Sequence, residues 1–382
     1  MIKNKLIFKV KSYRFSGFLW LFFATVFSAQ AEKITIGKGA GIVWEGLPFS
    51  ASMMIYVNNP DMYGADGLLS ISDKDGSTET SCIPSSELYA VNGIQTLKLV
   101  DGIGLVPRAF GSASYTDYFS SGRYHVTGTI GFPQTRGENT AGNSIVVPFT
   151  IDGKSRDWCL PPKNTTDHYT PYFYKAGSYA HASVNGDWAI VADGNQTAQD
   201  NIKIMPMYVS TTLDVQTDYR TILPTNVDLR ISTLSCSVDT PTEINFGAVA
   251  RNLTPHAELA QKNNELYVAC SQDSTGPTID ANINVQFRPL SGLYNGEINK
   301  LALNEGGGYI TGSIPGVTSE GHCGSAAAGV TFDNKPIKVG SIAKGELSIR
   351  LNHQIDWRLC SGGASLPSGK VTASTEMLVT YN

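Results

Sequence analysis

The sequence lacks the local motifs by which many enzymes are recognised. It contains no GxSxG nucleophile turn, no HExxH metal pair, no phosphate-binding loop and no GxGxxG dinucleotide motif. The glycine-rich run Gly37–Gly41 lacks the spacing of a phosphate loop and the helical pattern that follows one. A glycosidase with two catalytic carboxylates leaves no local motif, so it stays an alternative. We expect a protein without catalytic activity and without a cofactor.

Long apolar runs are absent after residue 31, so no later segment is predicted to cross a membrane. The apolar stretch Phe18–Phe27 is only about ten residues long and precedes the small-residue site Ala29-Gln30-Ala31. The basic residues before it are Lys3, Lys5, Lys9, Lys11 and Arg14. Residues 1–31 are therefore predicted to be a secretory signal peptide, with an uncleaved anchor as the alternative.

Positive charge is scarce in the mature chain. The 351 residues after the signal peptide hold 24 basic and 33 acidic residues, a net charge of −9. Nucleic-acid affinity rests mainly on neutralising phosphates with basic residues. The composition therefore excludes nucleic acid from the expected partners.

Helical periodicity is also absent over any long stretch, although residues 256–263 could form one or two helical turns. Short runs rich in β-branched and aromatic residues recur instead, separated by turn signals such as Asn92-Gly93, Asp152-Gly153 and Asn185-Gly186. The N-terminal runs are Ile34–Ile36, Ala51–Val57, Leu68–Ile71, Ile94–Val100, Tyr124–Ile130, Ile145–Ile151, Trp188–Ala192 and Ile202–Val209. Pattern and length predict an all-β protein of two antiparallel β-sandwich domains.

The six cysteines suggest disulfides, because the signal peptide sends the chain to an oxidising compartment. Six cysteines allow 15 pairings, so the sequence leaves the connectivity open. The simplest pairing is sequential: Cys82–Cys159, Cys236–Cys270 and Cys323–Cys360. Zinc is the other reading, but there is no CxxC, and His322 beside Cys323 lacks partners at ligand spacing. No metal site is expected.

The last fourteen residues, from Gly369 to Asn382, read as one extended strand with apolar and polar residues alternating. Leu378 is the one large apolar residue on the polar face. Chain ends usually fray, so an apolar terminal strand calls for a partner. The face that we expect to be buried holds Val371, Ala373, Thr375, Met377, Val379 and Tyr381.

A glycine fourteen residues from the end, alternating apolar residues and a penultimate tyrosine resemble the C-terminal motif of chaperone–usher pilus subunits. The run Ile244–Gly247 and the spacing of Cys236 from Cys270 resemble the same family. The resemblance implies an incomplete immunoglobulin-like pilin fold that lacks its last strand. A periplasmic pilus chaperone fills the gap first, and the adjacent pilus subunit then donates a strand. Cys323 and Cys360 are an additional pair that the simplest pilins lack.

The residues before the pilin-like region distinguish this chain from an ordinary pilus subunit. We expect a signal peptide at 1–31, a receptor-binding sandwich at 32–228 and the pilin domain at 229–382. This arrangement resembles two-domain tip adhesins, including those of type 1 and P fimbriae. The resemblance implies export, assembly through an outer-membrane usher, a place at the fimbrium tip on the cell surface, and a host glycan or glycoprotein receptor. A minor structural pilin and a secreted carbohydrate-active β-sandwich protein are the alternatives.

Two stretches of the N-terminal region combine aromatic rings with hydrogen-bonding side chains, as sugar sites do. One holds Tyr115, Asp117, Tyr118 and Arg123, and the other holds Asp187 and Trp188. A third stretch, residues 168–174, has a similar but weaker mixture. We take the first two as candidate ligand-binding residues. The alternative is that the rings belong to the core and the polar residues to turns.

Overall fold

A computed structural model describes residues 32–58, 68–74, 82–140, 144–146, 148–151, 154–161, 174–213, 216–274, 276–324 and 328–382. The chain divides into two compact units, Met1–Ala31 and Glu32–Asn382, and the described residues all belong to the second. They form 26 strands and two short 3-10 turns, Ser85–Glu87 and Tyr294–Gly296, with no α-helix among them. The all-β prediction is confirmed.

The described residues of the N-terminal region form 18 strands. They are β1 (Glu32–Ile36), β2 (Ala40–Val57), β3 (Leu69–Ser72), β4 (Ile83–Pro84), β5 (Leu88–Val91), β6 (Ile94–Val100), β7 (Ile103–Thr116), β8 (Arg123–Gly131), β9 (Arg136–Asn139), β10 (Ser144–Val146), β11 (Phe149–Ile151), β12 (Lys154–Asp157), β13 (Cys159–Leu160), β14 (Ser178–Asp193), β15 (Gln199–Lys203), β16 (Met207–Leu213), β17 (Gln216–Leu223) and β18 (Val227–Ile231).

The largest N-terminal sheet has the order β10-β9-β8-β7-β14-β2, with β6 also paired to β7 and β5 to β6. Smaller sheets with the orders β13-β3-β16-β17 and β11-β12-β4 accompany it. One contiguous apolar cluster, running from Ile34 to Ile231 in sequence, lies inside this region. It includes the fully buried rings of Tyr115, Tyr174 and Trp188.

The predicted strand runs agree with the structure in part. The run Ile94–Val100 is β6, and Asn92-Gly93 forms the turn before it with both φ angles positive. The prediction of a turn at Asn185-Gly186 is wrong, because both residues lie within the 16-residue strand β14. The run Ile145–Ile151 is divided between β10 and β11, and Ile202–Val209 between β15 and β16. Asp152-Gly153 lies outside the described residues.

Strand β7 was not predicted, although it lies at the centre of the large sheet between β14 and β8. Gly104, Pro107 and Gly111 interrupt its apolar pattern. Gly111 is needed for close packing, since a Cβ atom there would lie 2.4 Å from Cδ2 of Leu69. The strand was missed because glycine and proline occupy positions where a strand pattern would show larger apolar residues.

The described residues of the C-terminal region form eight strands. They are β19 (Ser235–Asp239), β20 (Glu258–Ser271), β21 (Ala281–Pro289), β22 (Leu301–Ala302), β23 (Gly308–Ser313), β24 (Ile337–Ile342), β25 (Ser348–Ser361) and β26 (Thr375–Tyr381). One sheet has the order β19-β20-β25-β23-β22, and β26-β21-β24 forms the facing layer. The helical turns considered at residues 256–263 are wrong, because β20 begins at Glu258.

The three disulfides join the cysteines in sequential order, as predicted. Cys82 is bonded to Cys159, Cys236 to Cys270 and Cys323 to Cys360. Cys236 and Cys270 lie opposite each other on β19 and β20. The second disulfide therefore joins the first strand of the C-terminal region to the second.

The described chain contains two large apolar clusters, one in each region, and their sequence ranges meet between Ile231 and Leu234. The N-terminal cluster ends at Ile231, and the main C-terminal cluster runs from Leu234 to Tyr381. The predicted boundary after residue 228 falls inside β18, whose residues Val227, Leu229 and Ile231 are buried. We therefore propose a boundary after Ile231 in place of the predicted one.

Candidate functional sites

Strand β26 is an edge strand over most of its length. On one side it pairs with β21 from Thr375 to Tyr381 in antiparallel register. On the other side its one pairing joins Tyr381 to Thr35 of β1. Between Thr375 and Thr380 this side has no strand partner among the described residues. The predicted terminal strand is thus present, but it begins at Thr375 rather than at Gly369.

The alternating residues of the C-terminal segment contact the apolar core, as their spacing predicts. Ala373, Met377 and Val379 pack half-buried against the main C-terminal cluster, and Tyr381 belongs to it. Val371 and Ala373 also pack against a smaller cluster formed by Leu303, Leu359 and Leu366. Burial raises the pKa of Tyr381 to about 12, and a hydrogen bond with the Cys236 backbone opposes the shift. One end of β26 is therefore anchored, and the rest stays half-exposed.

A second unpaired segment packs on the same two clusters. Residues 240–257 form no strand between β19 and β20. From Pro241 to Val249 the described structure contains no backbone-to-backbone hydrogen bond. Ile244, Phe246 and Val249 nevertheless turn half-buried side chains toward the apolar clusters. Half-covered apolar side chains beside unpaired backbone are the features of a sheet that lacks a strand.

A group of five charged side chains lies where the other face of β26 and β21 meets the N-terminal region; we call it the charge cluster. Its members are Glu45 of β2, Arg108 of β7, Asp187 of β14, Arg288 of β21 and Glu376 of β26.

Glu45 is the centre of the charge cluster, with 3% of its surface exposed. Both of its carboxylate oxygens accept hydrogen bonds from Arg288, and the Arg108 guanidinium lies 3.4 Å away. Arg288 also donates to Asp187 over 2.7 Å, and Arg108 donates to Glu376 over 2.8 Å. The cluster thus connects β21 and β26 to three strands of the N-terminal sheet, β2, β7 and β14.

Burial raises the pKa of Glu45, and the two arginines oppose that shift. Its raised pKa means that burial outweighs the attraction to Arg288 and Arg108. Two arginines face three carboxylates, so the cluster carries a net charge of −1 when all five groups are ionised. Protonation of Glu45 would make it neutral.

The candidate residues Tyr115, Asp117, Tyr118 and Arg123 lie together at one end of the large sheet. Tyr115 is fully buried, with Tyr174 and Tyr124 packed against its ring, and burial raises its pKa. Asp117 is buried and accepts hydrogen bonds from the backbone N–H groups of residues 119 and 120. Tyr118 is exposed, and exposed Arg123 donates to the Ser114 hydroxyl over 2.9 Å.

The candidates Asp187 and Trp188 occupy a different place. Trp188 is fully buried against Phe49, and its Nε1 donates to the carbonyl of Ile222 over 3.1 Å. Asp187 belongs to the charge cluster. In the pairing of β14 with β7, Asp187 lies opposite Arg108. Arg108 is eight residues from Thr116 along β7, so the two stretches are about 27 Å apart at the rise of a strand. The two stretches do not form one site, and the buried rings of Tyr115 and Trp188 offer no face to a surface ligand.

Residues 168–173 of the third stretch lie outside the described residues, while Tyr174 is buried. Within the described part of the chain, no group of three or more His, Cys, Asp or Glu side chains could hold a metal ion. Among the described residues, no helix is long and apolar enough to cross a membrane.

Comparison with solved structures finds fimbrial tip adhesins along about nine-tenths of the chain. The CupB6 tip adhesin from Pseudomonas aeruginosa is 11% identical over 90% of this chain and 87% of its own, with a TM-score of 0.27. A structure from a chaperone–tip adhesin complex of CFA/I fimbriae biogenesis is 10% identical over 92% and 96%, with a TM-score of 0.22. A mutant of the CFA/I adhesin CfaE from enterotoxigenic E. coli is 10% identical over 91% of both chains, with a TM-score of 0.21.

Sequence comparisons add no nearer relative. No family model matches the chain, and no curated protein matches it.

Proposed function

We propose that this chain is a fimbrial tip adhesin whose C-terminal region accepts a strand from its assembly partners. The observation that carries the proposal is the half-open apolar layer between β26 and residues 241–249. An extended segment with alternating apolar residues would fill this layer and pair with the free side of β26. It would also cover surface that promotes aggregation when it is left open.

The donors that fit this role are a periplasmic pilus chaperone and then the neighbouring pilus subunit, with an outer-membrane usher between the two steps. Strand β1 supports a place at the tip of the fimbrium. Its residues Glu32–Ile36 are paired in parallel with Val227–Ile231 of the same chain. They are therefore not free to complete another subunit. The N-terminal region then faces outward and binds the host receptor, for which we propose a glycan.

The strand-accepting role is tested by producing the mature chain, residues 32–382, in the periplasm with and without a pilus chaperone from the same organism. Amide hydrogen exchange is then measured in both samples. We expect exchange at residues 244–249 and 375–379 to slow by at least about tenfold in the complex, because new backbone hydrogen bonds form there.

Two variants separate strand donation from general binding. Val379→Asp places a charge in the apolar layer and should abolish chaperone capture and the added protection. Ser374→Asp places the same charge on an exposed side chain and should leave both unchanged. A thermal melt of each free variant reports whether it is folded. Capture of a folded Val379→Asp chain as strong as that of the unaltered chain would contradict the proposal.

A further inference from the structure

The outer face of the large N-terminal sheet holds an exposed aromatic ring in a polar setting. Along β7 the side chains of Ala109, Gly111 and Ala113 point inward, and those of Phe110 and Ser112 point outward. Phe110 has 51% of its surface exposed. Single exposed apolar residues are common on protein surfaces, so its surroundings must decide whether it has a role.

Strand pairing places hydrogen-bonding side chains on both sides of this ring. Phe110 lies opposite Asn185 of β14 and Thr129 of β8, and Thr129 lies opposite Arg136 of β9. The next outward row consists of small polar residues and one carboxylate. It runs through Ser52, Ser183, Ser112, Thr127, Glu138 and Ser144.

Two shallow, open depressions adjoin Phe110. A cavity of about 580 Å³ is lined by Phe110, Thr127, Thr129, Arg136 and Glu138, among others. A second cavity of about 520 Å³ shares Phe110 and Thr129 and extends toward the charge cluster. Small-molecule sites commonly occupy about 300–1,000 Å³. The ring thus divides two adjoining depressions of suitable size.

Gly128 contributes to this shape. A Cβ atom at Gly128 would lie 2.1 Å from the carbonyl oxygen of Arg136 and 2.6 Å from Cα of Gly137. No other residue would allow β8 and β9 to approach this closely. The first cavity lies at this close approach.

The polar groups of the first cavity match the hydroxyls of a sugar. Arg136 can only donate hydrogen bonds and ionised Glu138 can only accept them, and the two lie on the same face about 7 Å apart along β9. The Glu138 side chain is exposed, and the Thr127 hydroxyl can both donate and accept. Arg136 and Glu138 offset each other's charge, which favours a neutral ligand.

We infer that this face binds a neutral hexopyranose of a glycan receptor, and we name it the Phe110 site. The apolar C–H face of the sugar packs on the Phe110 ring, and the sugar hydroxyls bond to Glu138, Arg136 and Thr127. The inference rests on the proposed function, since it places the receptor site of the adhesin. It also moves that site away from the buried rings of Tyr115 and Trp188.

The test uses the full mature chain in its chaperone complex on an array of neutral oligosaccharides, with sialylated and sulfated versions alongside. Phe110→Ala should weaken binding of the neutral glycans by about tenfold, the usual scale of an aromatic contact. Glu138→Gln should weaken it by a similar factor while preserving the shape of the side chain. Tyr179→Ala is the matched control, because Tyr179 is an exposed ring on the same face at the start of β14, six residues from Asn185. It should retain binding within about twofold.

Thermal melting confirms that each variant is folded, which is expected because all three side chains are exposed. Normal binding by both Phe110→Ala and Glu138→Gln would overturn the Phe110 site and leave the adhesin proposal standing. Binding of only sialylated or sulfated glycans would overturn the ligand class. If the unaltered chain binds no glycan, the glycan receptor and the Phe110 site both fail. The strand-accepting role is then still decided by hydrogen exchange alone.

Discussion

Single residues were the hardest feature to predict, and Trp188 shows why. The sequence Asn185-Gly186-Asp187-Trp188 has the composition of a sugar-binding loop. The same composition also fits a strand whose tryptophan enters the core, because burial depends on partners distant in sequence. Here those partners are Phe49 and the carbonyl of Ile222. Nothing within a few residues of Trp188 reveals either contact.

We expect Trp188→Ala mainly to lower the free energy of unfolding, and to affect receptor binding only through that loss of stability. Removing a fully buried tryptophan leaves a cavity, which typically costs about 3–5 kcal/mol. The free energy of unfolding measured in urea should fall by that amount. Tyr179→Ala, on the same strand but with 46% of its surface exposed, should cost less than about 1 kcal/mol. A Trp188→Ala chain of nearly unchanged stability and weakened receptor binding would restore the sequence-based assignment.

At the scale of elements, the sequence pattern predicted a strand where the alternation of apolar and polar residues is local. The terminal strand was recognisable because its alternation lies within a few residues, and it contacts the core through the expected side chains. The charge cluster could not be predicted, because its members come from five strands between Glu45 and Glu376. Their proximity follows from strand order and register, which a single sequence does not display.

The charge cluster should make the stability of the mature chain depend on pH through Glu45. Burial raises the pKa of Glu45 in the folded chain above its ordinary value of 4.5, so the folded state binds more protons than the unfolded state. The stabilisation from protonating Glu45 is therefore present at low pH. It is lost as pH rises through its folded-state pKa. In the window just above pH 4.5, acidification should favour folding through this group.

Glu45→Gln tests this by fixing the side chain in a neutral form. The free energy of unfolding, measured in urea at several pH values between about 4.5 and 7, should depend less on pH in Glu45→Gln than in the unaltered chain. Glu265→Gln removes an exposed carboxylate on β20 and should leave the pH dependence as it is. If the pH dependence of Glu45→Gln matched that of the unaltered chain, Glu45 would not be the group that titrates.

At the scale of the whole molecule, the two regions share a sheet without sharing a core. The sheet order β15-β18-β1-β26-β21-β24 passes from the N-terminal to the C-terminal region at the single pairing of Thr35 with Tyr381. The apolar clusters on the two sides remain separate. The sequence predicted two regions, divided after residue 228. It could not show that β18, which spans this boundary, pairs with β1 and β15 of the N-terminal region.

This packing predicts that the exact end of an N-terminal fragment decides whether it is stable. Residues 32–232 include all of β18, whereas residues 32–228 lose Leu229 and Ile231, which are 0% and 3% exposed. Burial of each such side chain contributes about 1.5–3 kcal/mol. The shorter fragment should therefore lose about 3–6 kcal/mol, a large part of the 5–15 kcal/mol typical of a domain. Urea unfolding of both fragments after periplasmic production measures the difference.

Two point variants of residues 32–232 test the role of β18 without a change in length, and Arg230→Ala is the control for Leu229→Ala. Arg230→Ala removes a half-exposed side chain of β18 that donates to Asp200, and it should cost less than about 1 kcal/mol. Leu229→Ala should cost about 2–5 kcal/mol, because it removes a fully buried side chain. Equal stability of the two fragments would return the boundary to residue 228. Failure of residues 32–232 to fold would mean that the N-terminal core depends on the C-terminal region, and the charge cluster would then be the first contact to examine.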